Sequence, residues 1–83
     1  MIKLPSFIRD SAILSEKEKQ LLEAAASLPS EMQVDAFRAR GDIQELTNAF
    51  IGDESTRDIH LQEKAKEFLA LGDVDSAWKV ILL

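Results

Sequence analysis

His60 is the only histidine among the 83 residues, and the chain has no cysteine. A metal site or an acid–base pair would have to be built from His60 and carboxylates. Asp58 and Glu63 are the nearest candidates, Asp58 ahead of an expected helix and Glu63 three positions on. A lone histidine at the polar start of a helix reads as a solvated residue, because zinc would need further ligands that only carboxylates supply here. Asp73 and Asp75 have the spacing that opens a calcium loop, but the glycine and later oxygen ligands do not follow. The serines fall mostly at expected helix ends, and none sits in a nucleophile-elbow sequence. Gly41 to Thr47 lacks the Gly-Lys-Ser/Thr ending of a phosphate loop, and its acids would repel a phosphate. Paired carboxylates would need a deep, water-excluding cleft, for which so short a helical chain has little room. The expectation is a protein that is not an enzyme, with no catalytic residue, cofactor, metal or small-molecule substrate.

The elements that carry these residues read as helices. Each of the three glycines is followed by aspartate: Gly41-Asp42, Gly52-Asp53 and Gly72-Asp73. Glycine enters the left-handed conformation that stops a helix, and aspartate can cap the next one. Ser15-Glu-Lys-Glu18 has capping-box form and predicts a helix to about Leu28, ended by Pro29. Its stripe is Leu14, Leu21, Ala25 and Leu28, widened by Leu22. Ser30 predicts a second cap, for a helix over about 31–40 with Val34 and Phe37 facing inward. Asp42 predicts a third, with Ile43, Leu46 and Phe50 on one face and Gly52 at its end. Residues 53–58 are polar throughout and read as a loop. A helix over about 59–71 buries Leu61, Ala65, Phe68 and Leu69. The last helix, after Asp73, buries Val74, Ala77, Trp78 and Ile81. Residues 1–14 are an apolar N-terminal segment in which Ser6 could cap a short turn after Pro5. No segment alternates with the period of a strand. The fold class is all-α, about five short helices in stacked antiparallel hairpins. One domain covers residues 1–83, with a first helical part over 15–52 and a second hairpin over 53–83.

Fifteen acidic residues against ten basic give a net charge of −5. That balance disfavours nucleic acid, whose phosphates need a concentrated basic face, and anionic membrane surfaces. No apolar run approaches the ~20 residues of a membrane span, and the N-terminus lacks a signal-peptide core. A cytoplasmic location is the expectation. Without cysteine no disulfide can staple the fold, so packing must hold it.

Phe37-Arg-Ala-Arg-Gly41-Asp42-Ile43 and Phe68-Leu-Ala-Leu-Gly72-Asp73-Val74 share one pattern at a period of 31 residues. The run from Ala65 through Phe68, Gly72-Asp73 and Ala77 to Ile81 resembles the core of a tetratricopeptide repeat. Ala65 stands for its small residue, Phe68 for its aromatic and Ala77 for its close-contact alanine. The earlier copy is poorer, with Leu46 and Val34 at the positions of the two small residues, and the period is shorter than the usual ~34 residues. The resemblance implies a helical-hairpin scaffold that binds protein along first-helix side chains, here near Gln62, Lys66, Glu63 and Leu69. It carries over no catalytic residue.

The final helix offers a further signal. Val80 and Leu83 fall well outside the stripe of Val74, Ala77, Trp78 and Ile81, with Leu82 on its border. A helix apolar nearly all round is buried on more than one side. Either residues 1–14 fold back over this end, or a second chain covers it. Trp78, Val80, Leu82, Leu83, Gln62 and Lys66 are thus the candidate partner-binding residues, for a protein partner or a homodimer. The functional expectation is a small interaction module, an adaptor, regulator or inhibitor. The alternative is an acidic decoy that masks a basic nucleic-acid-binding surface of another protein.

Overall fold

Two serines fix two helix starts by the same reciprocal device. Ser15 Oγ accepts from the Glu18 N–H while the Glu18 carboxylate accepts from the Ser15 N–H; Ser30 and Gln33 repeat the exchange. The structure, a computed structural model, describes residues 2–50 and 54–83. Their helices are α1 (Ser6–Arg9), α2 (Glu16–Glu23), α3 (Glu31–Arg38), α4 (Gly41–Asn48), α5 (Glu54–Ala70) and α6 (Val74–Ile81). Among the described residues there is no strand, so the fold is all-α. Six helices stand where about five were expected, because the N-terminal segment contributes the single turn of α1. Pro5, not Ser6, occupies the N-cap position of that turn, and no side chain caps it.

α6 is the centre of the molecule. It packs most extensively on α5 and also touches α2 and α3. Ser76, Ala77, Trp78, Val80 and Ile81 are all buried. At about 100° per residue these positions occupy roughly 200° of the circumference. The remaining arc carries Asp75 and Lys79, paired at 2.8 Å one turn apart. The all-round apolar pattern therefore means a central helix.

The N-terminal segment helps to cover it. Leu4 and Ile8 are core residues, and Ile2 and Phe7 pack against that core. The Ile2 N–H donates to the Glu23 carbonyl at 3.0 Å. Ser11 Oγ donates to Gln62 Oε1 and accepts from the Ile13 and Leu14 N–H groups. The N-terminal segment thus shares one core with α6, and Trp78 and Val80 are buried within the single chain.

Two expected boundaries move. α2 ends at Glu23 instead of near Leu28. The Leu22 carbonyl takes the Ala25 N–H in a tight turn and the Trp78 indole N–H at 3.0 Å, and the Glu23 carbonyl takes Ile2. Another turn of helix would need those same acceptors. Leu28, past the helix end, accordingly lies exposed; Leu21 is exposed within α2, and Leu14 and Leu22 are the buried members of the stripe. Residues 54–58, expected as loop, form the first turns of α5; Glu54 at its N-terminal end suits the helix dipole. The expected cap Asp53 and stop Gly52 lie outside the described residues.

The two Gly-Asp turns differ. Gly72 has φ +77°, and Asp73 accepts from the Ser76 N–H and hydroxyl at 3.0 and 2.6 Å. That turn is the one the sequence predicts. Gly41 has no positive φ and is the first residue of α4, with Arg40 at the cap position and no capping side chain. Asp42 instead holds Arg40 through two hydrogen bonds of 3.2 and 3.0 Å.

Candidate functional site

The aromatic positions of the two related segments meet. Phe37 on α3 and Phe68 on α5 lie 5.9 Å apart at a tilt of 59°. Arg40, Lys64 and Lys79 surround the pair, Arg40 at 5.0 Å from the Phe37 ring and Lys64 at 5.5 Å from Phe68. Each cation has its own acid, Asp42, Glu67 and Asp75 in turn, so the cluster is neutralised where it stands. It stitches α3 to the α5–α6 pair and offers no open charge.

The residues that could have done chemistry are scattered. His60 stacks on Phe50 at 6.3 Å, Asp58 pairs with Arg57, and Glu63 is exposed. Among the described residues no group of three or more His, Asp or Glu side chains could hold a metal ion, and no helix is long and apolar enough to cross a membrane. Asp10 is held below its usual range by its hydrogen bond to Arg9 on the open surface, and two carboxyls at helix starts also lie low. Burial pushes Glu18 up, but the Lys66 ammonium at 2.7 Å and the N–H and hydroxyl of Ser15 outweigh it. The Ser76 hydroxyl and N–H lower Asp73. Both are helix caps at work.

The six candidate partner-binding residues divide. Trp78 and Val80 are 1% and 0% exposed, which removes them from any surface a partner could reach in this fold. Gln62 is turned inward to Ser11 because α5 faces the N-terminal segment there. Lys66 is on the surface, held to Glu18. Leu82 and Leu83 follow α6 where the helix emerges, Leu82 at 37% exposure and Leu83 half-buried.

Leu82 forms a ridge between two grooves. On one side Phe7, Ile81 and Leu83 line a groove of about 510 Å³, edged by Arg57 and Asp58, which are paired at 3.7 Å. On the other, Leu28, Pro29, Val34 and Leu82 line one of about 490 Å³. Its polar edge is Glu31, Asp35 and Arg38. Those three and Val34 follow one another at i, i+3, i+4 and i+7 along α3, a stripe of about two turns. Arg38 is taken by Asp35 at 2.7 Å, while Glu31 enters no ion pair among the described residues. Leu28 has the spacing of a helical core stripe, yet in the structure it lies beyond the end of α2 as a wall of this groove. The usable signal is Leu28-Pro29 itself, a large apolar residue just before a proline, where helix is disfavoured.

Set against family models, curated proteins and solved structures, the chain matches none of them.

Proposed function

We propose that this chain is a non-enzymatic protein-interaction module that binds another protein through the surface around Leu82. One observation carries the reading: a groove with Leu28, Pro29, Val34 and Leu82 as apolar walls and Glu31, Asp35 and Arg38 as its charged edge stays open just past the end of α6, although Trp78 and Val80 within that helix are buried by the chain itself. Exposed Leu28 and Leu82 are two of its walls, and exposed apolar side chains grouped in a groove are a common feature of docking sites. The scattered titratable groups favour binding over catalysis as the role of this surface. A tetratricopeptide-like scaffold fits the α5–α6 hairpin, where Ala65 and Ala77 are both 0% exposed and let the helices close on each other across the Gly72 turn. The acidic-decoy alternative draws less support. Glu16–Lys19, Asp35–Arg38, Lys64–Glu67 and Asp75–Lys79 pair acids with bases on the same helix, as ordinary solvated faces do.

Affinity capture from the cell of origin tests the reading, using the wild type and two folded variants, Leu28→Asp and Leu82→Asp. A partner retained by the wild type and lost from both variants supports it. Capture indifferent to both substitutions removes it.

A further inference from the structure

The groove also constrains what can lie in it. Extended peptides that add to a sheet need a strand edge, and the described residues contain no strand. Polyproline segments dock on aromatic-lined grooves, whereas the walls here are Leu28, Pro29, Val34 and Leu82. Phosphorylated motifs need clustered arginines, and the one arginine at the edge, Arg38, is bound by Asp35 at 2.7 Å. A terminal carboxylate would meet Glu31 and Asp35. An amphipathic helix fits the groove best. The α3 stripe from Glu31 to Arg38 runs about 10 Å, the length of two turns of an incoming helix; its charged residues face that helix's polar flank, and Leu28, Val34 and Leu82 offer apolar contact to aliphatic anchors. The charge on the rim selects further. Glu31 and Asp35 outnumber Arg38, and among the described residues Glu31 enters no ion pair. A second copy of this chain, itself at −5, meets repulsion there; a basic segment meets attraction.

Resting on the interaction reading above, we infer that the groove between α3 and Leu82 receives a basic amphipathic helix of another protein, with two aliphatic anchors one turn apart and a lysine or arginine beside Glu31.

The test uses synthetic peptides of about 15 residues, long enough to populate helix. One carries leucines at i and i+4 flanked by lysines, the second the same leucines flanked by glutamates, and the third serines for leucines among the lysines. Each is titrated into the methyl-labelled full chain and followed by NMR. The lysine–leucine peptide moves the methyl resonances of Leu28, Val34 and Leu82, and the glutamate version binds about fivefold or more weakly. Glu31→Lys narrows or reverses that preference, and Leu82→Asp, checked as folded, abolishes the shifts. Equal binding of the lysine and glutamate peptides, shifts outside the groove, shifts that persist with the serine peptide, or no shift with any peptide overturns the inference. Shifts on raising the protein concentration alone assign the groove to a second copy and overturn it too. A captured partner that depends on Leu82 but is indifferent to Glu31→Lys leaves the interaction reading standing and sinks this inference. Peptides that behave as stated, with no captured partner dependent on Leu28 or Leu82, sink the interaction reading alone.

Discussion

Gly41 and Gly72 occupy the same place in the two related segments and do opposite things. Gly72 sits at φ +77°, where an L side chain meets its own backbone; Gly41 is an ordinary first residue of a helix. A Cβ at either position meets no atom within 4 Å, so the backbone alone decides the cost. Gly72→Ala is expected to destabilise by about 1–2 kcal/mol, the penalty of a left-handed non-glycine residue. Gly41→Ala is expected to stabilise by about 0.5 kcal/mol, because alanine has less freedom to lose on folding. Urea unfolding of the two variants beside the wild type measures both; equal effects of the same sign would mean that the turns are alike.

Elements were legible where their ends are written in side chains. The capping boxes at Ser15 and Ser30 and the Asp73 cap could be read directly, since each needs only residues three positions apart. The end of α2 could not. It is set by Ile2 and Trp78, which lie 21 and 56 positions away in sequence and take the Glu23 and Leu22 carbonyls. Polar content misled at residues 54–58, because a solvated helical turn and a loop have similar composition. The groove was illegible for the same reason as the end of α2: Leu28 becomes a surface wall only once that helix stops early. The Asp73 cap gives α6 a pH dependence. Its carboxyl is held below its ordinary value of 3.8 by the Ser76 hydroxyl and N–H, so the added stability is full above that value and is lost as pH falls through the lowered one. Asp73→Asn keeps a cap but removes the titration. The variant should be less stable at neutral pH by roughly a few tenths of a kcal/mol, given the solvent screening at this site. The gap should close below pH 4 in urea midpoints taken across that range. A gap that stays constant would assign the difference to shape and not charge.

At the scale of the whole molecule, the issue is whether the chain needs a partner to be stable. Its surface is 5189 Å², against about 5000 Å² for an ordinary compact monomer of this mass. Its radius of gyration is 12.0 Å, also the ~12 Å of a compact chain. The core is therefore closed from within, by the N-terminal segment on one side and α2, α3 and α5 on the others. This makes a sharp distinction between two neighbouring residues of the C-terminal end. Val80 is wholly buried, so Val80→Asp forces an unpaired carboxylate into the core, at several kcal/mol against a stability of ~5 kcal/mol for so small a domain. It should abolish folding at every protein concentration. Leu82 stands at the rim, and Leu82→Asp should cost about 1 kcal/mol or less while leaving the helical circular dichroism intact. Thermal unfolding over a wide concentration range separates the cases. A wild-type midpoint that rises with concentration would show that association contributes to stability. A folded Val80→Asp variant would place α6 at an interface. A midpoint independent of concentration, together with a folded Leu82→Asp, leaves Leu82 as a residue whose exposure stability does not require, and that is the physical condition for a surface kept for binding.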